Sequence, residues 1–232
     1  MTSNAIREEL ERAFQRIGAT DASLEEQLKA FSDAARQKRP QFAEAVDRLV
    51  GRLRESGAGT SAPQPGELMP PFHLPDENGR TVSLDRLLVK GPVAVTFHRG
   101  HWCPYCRINI NALSRAQETI VPEDGQIVAI MPDRQHFVSE LKYAGKVSFP
   151  ILTDMDNGYA LSLNLAIWLG AEMQKMLADH QDLPTFQGNN SWILPIPATF
   201  VVGTDGIIKA CFIDPDYRRR MAIDDLLAAL RK

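Results

Sequence analysis

The sequence predicts an α/β fold: a mixed β-sheet sandwiched by helices, with an N-terminal helical extension. Two observations carry that expectation. Apolar runs of strand length alternate with helical periodicity in the second half of the chain, as in Val93-Ala94-Val95-Thr96-Phe97, then 106–119, then Ile127-Val128-Ala129-Ile130. A hairpin signal, Gly203-Thr204-Asp205-Gly206 between apolar stretches at 199–202 and 207–212, is followed by a last amphipathic helix at 223–230. A βαβ unit followed by a hairpin and a helix implies a sheet with both parallel and antiparallel neighbours.

The elements follow in order. Ile6, Leu10, Phe14 and Ile17 recur at helical spacing, as do Leu24, Leu28 and Phe31, and then Phe42, Val46, Leu49 and Leu53. Ser23 with Glu26 forms a capping box, and Pro40 marks the break before the third helix. Their apolar faces need a partner, which is either the rest of the chain or a second copy in a homodimer. Residues 56–67 are small, polar and rich in Gly and Pro, the chemistry of a linker, so 1–55 is assigned to a helical segment and 68–232 to the main domain. Residues 72–75 and 81–84 flank the turn Asp76-Glu77-Asn78-Gly79, whose Asn-Gly is a hairpin signal. After the strand at 127–130 come a helix at 133–144, an extended piece at 151–152 and a short helix at 158–163. Residues 165–192 read as an insertion, with a helix at 170–178 and a loop at 182–190; it lines a groove, covers the site or is simple core.

Composition narrows the function classes. The chain has 232 residues, 44% of them hydrophobic and 24% charged, and a net charge of -3, so it gives no electrostatic reason to expect nucleic acid or a membrane surface as partner. The first ten residues alternate charge with isolated apolar side chains, without the apolar core of a secretory signal, and a cytoplasmic location is expected. Three cysteines, two of them close together, make no disulfide framework.

Those two lie in Phe97-His98-Arg99-Gly100-His101-Trp102-Cys103-Pro104-Tyr105-Cys106, where a buried strand hands over to a helix. Unpaired backbone N–H groups and aligned peptide dipoles favour an anion there, so a thiol is biased toward thiolate. Pro104 suits the first turn because it lacks an N–H that would have no partner. Cysteines one helical turn apart can close a disulfide, so Cys103 and Cys106 read as a redox dithiol. His98 and His101 complete a zinc-like inventory, but no second knuckle appears, and neither metal nor cofactor is expected. His101 either tunes the first thiolate or is a solvated loop histidine. Cys211, in an apolar strand, reads as a small core residue rather than a resolving cysteine. Pro197 enters an apolar strand, where it loses a ladder hydrogen bond and so needs a reason to be there.

Trp102-Cys103-Pro104-Tyr105-Cys106 with Ile196-Pro197-Ala198-Thr199-Phe200 resembles the thioredoxin fold, in which a cis-proline lies beside the dithiol; the resemblance implies that Pro197 is that proline. With Phe72-His73-Leu74-Pro75-Asp76-Glu77-Asn78-Gly79-Arg80, Asp205-Gly206 and Asp214-Pro215-Asp216-Tyr217-Arg218, the chain from about residue 68 onward resembles the peroxiredoxin-like branch of the AhpC/TSA family. The resemblance implies a thiol peroxidase that reduces hydrogen peroxide or organic hydroperoxides through a Cys103–Cys106 cycle, regenerated by thioredoxin or glutathione. Laying the family's Pro-x-x-x-Thr-x-x-Cys motif on Cys106 puts Arg99 at its proline and Cys103 at its threonine, while a later family arginine falls on Pro197. That alignment makes Cys106 the attacking cysteine, with Arg99 as a local cationic donor. Thioredoxin logic instead makes Cys103 the nucleophile of a thiol–disulfide oxidoreductase, with a disulfide substrate positioned by Pro197.

Overall fold

Residues 3–120 and 125–231 are described by a computed structural model. The extreme ends of the two assigned segments, Met1, Thr2 and Lys232, lie outside the described residues. The helical extension comprises α1 (Ser3–Gly18), α2 (Leu24–Lys38) and α3 (Pro40–Glu55). The capping box at the start of α2 is formed in both directions: Glu26 N–H donates to Ser23 Oγ, and Ser23 N–H to Glu26 Oε2. Pro40 opens α3, where its missing N–H costs nothing.

The main sheet contains β3 (Val93–Phe97), β4 (Gln126–Met131), β5 (Ile151–Thr153), β8 (Ala198–Val202) and β9 (Ile208–Ile213), in the order β5-β4-β3-β8-β9. β3, β4 and β5 are parallel neighbours, and β8 and β9 add antiparallel to the other side. Every residue of β3 is buried, as expected of a central strand covered on both faces. Val93, Val95 and Phe97 pack on one side with Phe72, Leu84, Tyr159 and Leu163. Ala94 faces the other side with Ile110 and Leu113 of α5 (Pro104–Thr119) and with Leu226 and Leu230 of α10 (Ile223–Leu230). Among the described residues no helix is long and apolar enough to cross a membrane.

Several short elements escape the sequence reading. A small hairpin pairs β1 (His73–Pro75) with β2 (Thr81–Ser83) as expected, but α4 (Leu84–Leu88) follows directly, capped by Ser83. The 165–192 insertion is closed at its base by a second ladder, β6 (Ala166–Trp168) with β7 (Ile193–Pro195), neither of them expected. The expected helix is α8 (Ala171–Ala178). The expected loop at 182–190 instead contains α9 (Leu183–Gln187), with Asp182 accepting from Thr185 N–H, Pro184 in the first turn and Gly188 left-handed at the C-terminus. All three signals stand in the sequence, but five residues are too few to show a period. The helices expected at 133–144 and 158–163 form as α6 (Gln135–Ala144) and α7 (Gly158–Ser162).

The apolar faces of α1–α3 are covered by the same chain. Phe14, Leu28, Phe31, Val46 and Leu49 share one core with Tyr105, Ile108 and Ala112 of α5 and with Met173 and Leu177 of α8. Polar ties run alongside. Arg107 makes a bidentate pair with Glu11 at 3.0 and 3.1 Å, Arg48 pairs with Glu172, and Arg52 donates to the carbonyls of Trp168 and Leu169. The 56–67 stretch runs in turns against the sheet rather than as free chain. Gly66 N–H donates to Ile208 O, Ala62 is buried, and left-handed Gly59 lies so close to Ile196 and Ile213 that a Cβ would stand 3.2 and 3.0 Å from their side chains.

Phe31 is buried and meets Tyr105 edge-on at 5.3 Å. Phe31→Ala is expected to destabilise the protein by roughly 3–5 kcal/mol, the range for emptying a buried aromatic site. Urea unfolding followed by far- and near-UV circular dichroism checks this. A single shared transition supports the common core; loss of helical signal well before the aromatic signal contradicts it.

Candidate active site

The dithiol leaves the carboxyl end of central β3. Cys103 is the N-cap of α5, with extended backbone and no side-chain capping bond, and Pro104 fills the first turn. That turn contains no acidic residue, so no fixed anion offsets the positive end of the helix. Both sulfurs are enclosed: Cys103 is 1% exposed and Cys106 0%. An anion cannot persist there without donors.

The donors converge on Cys106. Arg99 N–H points at its Sγ from 3.3 Å, and Arg220 Nη2 from 3.5 Å. The Cys103 thiol and the His98 ring also favour its charged form. Burial would push the Cys106 thiol up, but these contacts and the Arg220 charge outweigh it and hold the group well below the usual thiol range. Burial pushes Cys103 well up, and its hydrogen bond to Cys106 and that residue's negative charge add to the rise. The charge of the coupled pair therefore rests on Cys106, where the N–H groups and the guanidinium point.

Each donor has its own support. Arg99 is 3% exposed, its guanidinium 3.8 Å from the ring centre of Tyr217 and 5.2 Å from that of Trp102. Tyr217 belongs to the 214–218 segment resembling the family's C-terminal pattern, and Arg220 follows it by two residues; ion pairs fasten that segment to α3, Arg218 to Asp47 at 2.8 Å and Arg54 to Asp214 at 3.4 Å, while Arg218 also pairs with Asp216 within it at 2.7 Å. Asp216 lies beside Arg218 and raises its pKa despite burial. Arg220 is steadied by the carbonyls of Tyr217 and Arg219.

His101 is not a solvated loop residue. Its N–H and Nδ1 both lie 2.7 Å from Asp133 Oδ2, and the ring stacks on Phe137 at 4.9 Å. Asp133 sits just past β4, fully buried, and its carboxyl is pushed up by that burial against the opposing pull of His101. Asp133 Oδ1 and Trp102 Nε1 have no partner of their own and meet over Gly100, whose missing Cβ makes the room.

Cys103, Arg99, His101 and Trp102 line a groove of about 1520 Å³, whose other wall includes Phe14, Phe31 and Phe42 of α1–α3 and Phe186 of the insertion. Cys106 lies behind Cys103 and does not line it. Pro197 is buried immediately before β8, and continuing the β3–β8 register sets it opposite His98. The Ile196–Pro197 peptide is trans, a departure from the cis-proline that the resemblance implies. Cys211 is half-buried on β9, paired with Phe200 in the ladder, and its sulfur faces Gln64 Oε1 at 3.9 Å rather than the dithiol. Of the residues named from the sequence, Cys103, Cys106 and Arg99 are brought together here. Sequence reasoning missed Arg220, Tyr217 and Asp133 as site residues, and took His98 only as part of a zinc-like set.

A family model described as AhpC/TSA family matches residues 65–211. No curated protein sequence matches the chain significantly. Among solved structures, the chain is similar to peroxidoxin BcpB of Mycobacterium tuberculosis, at 21% identity over 72% of this chain and 96% of that one, with a TM-score of 0.54. It is also similar to peroxiredoxin 6 of Arenicola marina (15% identity, 72% of each chain, TM-score 0.53) and to peroxiredoxin Q of Xanthomonas campestris (16%, 69% and 89%, TM-score 0.50). At such identities the likeness shows the fold, which is thioredoxin-like with the N-terminal helices added.

Two substitutions test this geometry. Arg220→Gln removes a cation from Cys106, so the pH midpoint of thiolate absorbance should rise by about one unit, the scale of a single neighbouring charge; an unmoved midpoint contradicts the assigned contact. Gly100→Ala places a methyl against Trp102 Nε1 and 2.8 Å from Asp133 Oδ1 at a φ of +147°. It should cost more than about 1 kcal/mol in denaturant unfolding, and full stability would refute the packing described.

Proposed function

The chain belongs to the AhpC/TSA family, and from that premise we propose that this thiol oxidoreductase is a peroxidase in which Cys106 attacks the hydroperoxide and Cys103 resolves. The observation that carries the proposal is the convergence of the Arg99 N–H and the Arg220 guanidinium on the Cys106 sulfur. The thiolate attacks the terminal oxygen of the hydroperoxide, so an S–OH bond forms as the O–O bond breaks, and the departing alkoxide takes up a proton from solvent, balancing the one the thiol released on ionising. In this reading the Arg99 N–H and the Arg220 guanidinium stabilise the negative charge that develops on the departing oxygen. Cys103 then attacks the sulfenic acid, an S–S bond forms and water leaves. An external thiol returns the disulfide to the dithiol.

Enclosure bears on the partners. With both sulfurs under α1–α3, a slender hydroperoxide suits the groove and a folded protein does not, so we favour glutathione or a similar small thiol over thioredoxin as reductant. A cycling dithiol suits the reducing cytoplasm, where we place the protein. Because the apolar faces of α1–α3 are used within the chain, a homodimer through them is not carried into the proposal.

A second reading, thiol–disulfide exchange with Cys103 as nucleophile and Pro197 against the substrate, is favoured by one observation. Cys103 rather than Cys106 lines the groove. Stopped-flow oxidation of the reduced protein by hydrogen peroxide and cumene hydroperoxide, with intact-mass detection, separates the two. The peroxidase reading expects loss of two hydrogens at a rate far above that of a free thiol, and faster re-reduction by glutathione than by thioredoxin. A rate no higher than a free thiol's, with ready exchange against disulfides, favours the second reading.

A further inference from the structure

We propose that Arg39, with Arg7 beside it, forms a carboxylate subsite on the groove, and that the hydroperoxide this protein prefers is that of a fatty acid. The carboxylate docks on the guanidinium groups, and the apolar chain lies along the groove wall and carries the O–OH group to the dithiol. The reaction rests on the peroxidase reading; the subsite does not.

The charge balance of the groove singles out Arg39. Several basic side chains that line it already have partners: Arg107 pairs with Glu11, Arg36 with Asp47, and Arg218 with Asp47 and Asp216. Arg39, at the junction of α2 and α3, has no ion pair among the described residues. Its guanidinium rests 4.5 Å from the ring centre of Phe42. It is half-buried, and burial pushes its pKa down while the nearby Asp179, exposed at the end of α8, offsets that only in part. A partly desolvated cation short of counter-charge favours an anion, and its planar fork matches a carboxylate. Arg7 of α1 lies close by. The Arg39 and Arg7 charges both add to the burial that pushes the intervening His180 down, so two cations from different helices reach one place.

The wall beside them is apolar. Leu10 and Phe14 of α1, Phe31 of α2, Phe42 of α3 and Leu177 of α8 line the same groove, a surface that suits an acyl chain. Tyr217 lies within electrostatic reach of both Arg39 and Cys103, so the carboxylate site and the dithiol share one stretch of groove. Glutathione also carries carboxylates, but it brings an ammonium and a polar peptide in place of an apolar chain. Arg7 and Arg39 both precede the matched residues 65–211, so this selection belongs to the helical extension rather than to the family domain. The step itself balances as before. The terminal oxygen passes to Cys106 as sulfenic acid, the chain alkoxide takes up a solvent proton and leaves as the hydroxy acid, and the carboxylate stays ionised throughout.

The test is calorimetric binding of decanoate and of decanol, each below its micellar concentration, to wild type, Arg39→Gln and Arg39→Lys. The proposal expects wild type to bind decanoate about tenfold more tightly than decanol, as one charge-assisted hydrogen-bonded contact implies. That preference should vanish in Arg39→Gln and persist in part in Arg39→Lys. Equal binding of the two probes by wild type, or a preference untouched in a folded Arg39→Gln, overturns it; should that variant fail to fold, the wild-type comparison decides. Binding of S-methylglutathione that depends on Arg39, with none of decanoate, also overturns it and gives the subsite to the reductant. Stopped-flow oxidation by linoleic acid hydroperoxide and by its methyl ester should show the same preference for the acid, lost in Arg39→Gln; an ester that reacts as well as the acid overturns the substrate assignment. Decanoate binding needs no peroxide, so a protein that binds it through Arg39 yet reacts with every hydroperoxide no faster than a free thiol refutes the peroxidase reading and not the subsite.

Discussion

A sulfur anion enclosed by protein is the constraint on which the rest of the structure depends. Cys106 has no exposed surface, and burial by itself would keep it protonated and inert. Its thiolate persists because an N–H from the β3–α5 loop, a guanidinium from the C-terminal segment, a ring at the end of β3 and the neighbouring thiol are held around one atom. Three of these groups lie on the one connection between β3 and α5 and the fourth comes from the C-terminal segment, so the full set forms only when that segment docks against the loop.

The arrangement of the outer layers follows from this. The C-terminal segment that presents Arg220 is fastened to α3 through Arg218 to Asp47 and Asp214 to Arg54. The N-terminal helices thereby serve two ends. They fill the core around Tyr105 with Phe14 and Phe31, and they anchor the segment that stabilises the thiolate. The same helices wall the groove onto which Cys103 opens. The Asp133–His101 pair secures the loop on its other side, where Gly100 allows Trp102 and Asp133 to crowd together.

Much of this was legible in the sequence where a local rule applies. The apolar run of β3, the capping box at Ser23, the break at Pro40 and the two cysteines at a helix start all depend on neighbours in the chain. The short pieces were not. β6, β7, α4 and α9 span three to five residues, too few for any period to emerge, and the two strands owe their existence to each other across the insertion. Arg220 was hidden for a related reason. Nothing local distinguishes it from Arg218 and Arg219, and only the tertiary path of the chain brings this one to the sulfur while its neighbours pair with Asp216 and Asp214. The Gly- and Pro-rich stretch at 56–67 reads as a linker by composition, yet its small residues are what allow it to lie tightly against Ile196 and Ile213.

The most direct test of the account is to ask which sulfur becomes the sulfenic acid. Cys103→Ser and Cys106→Ser, each treated with one equivalent of hydrogen peroxide in the presence of dimedone, report it by peptide mass. The account predicts an adduct on Cys106 in the first variant and none on Cys103 in the second. An adduct on Cys103 with Cys106 unmodified would contradict it, and would move the reactive thiolate to the mouth of the groove.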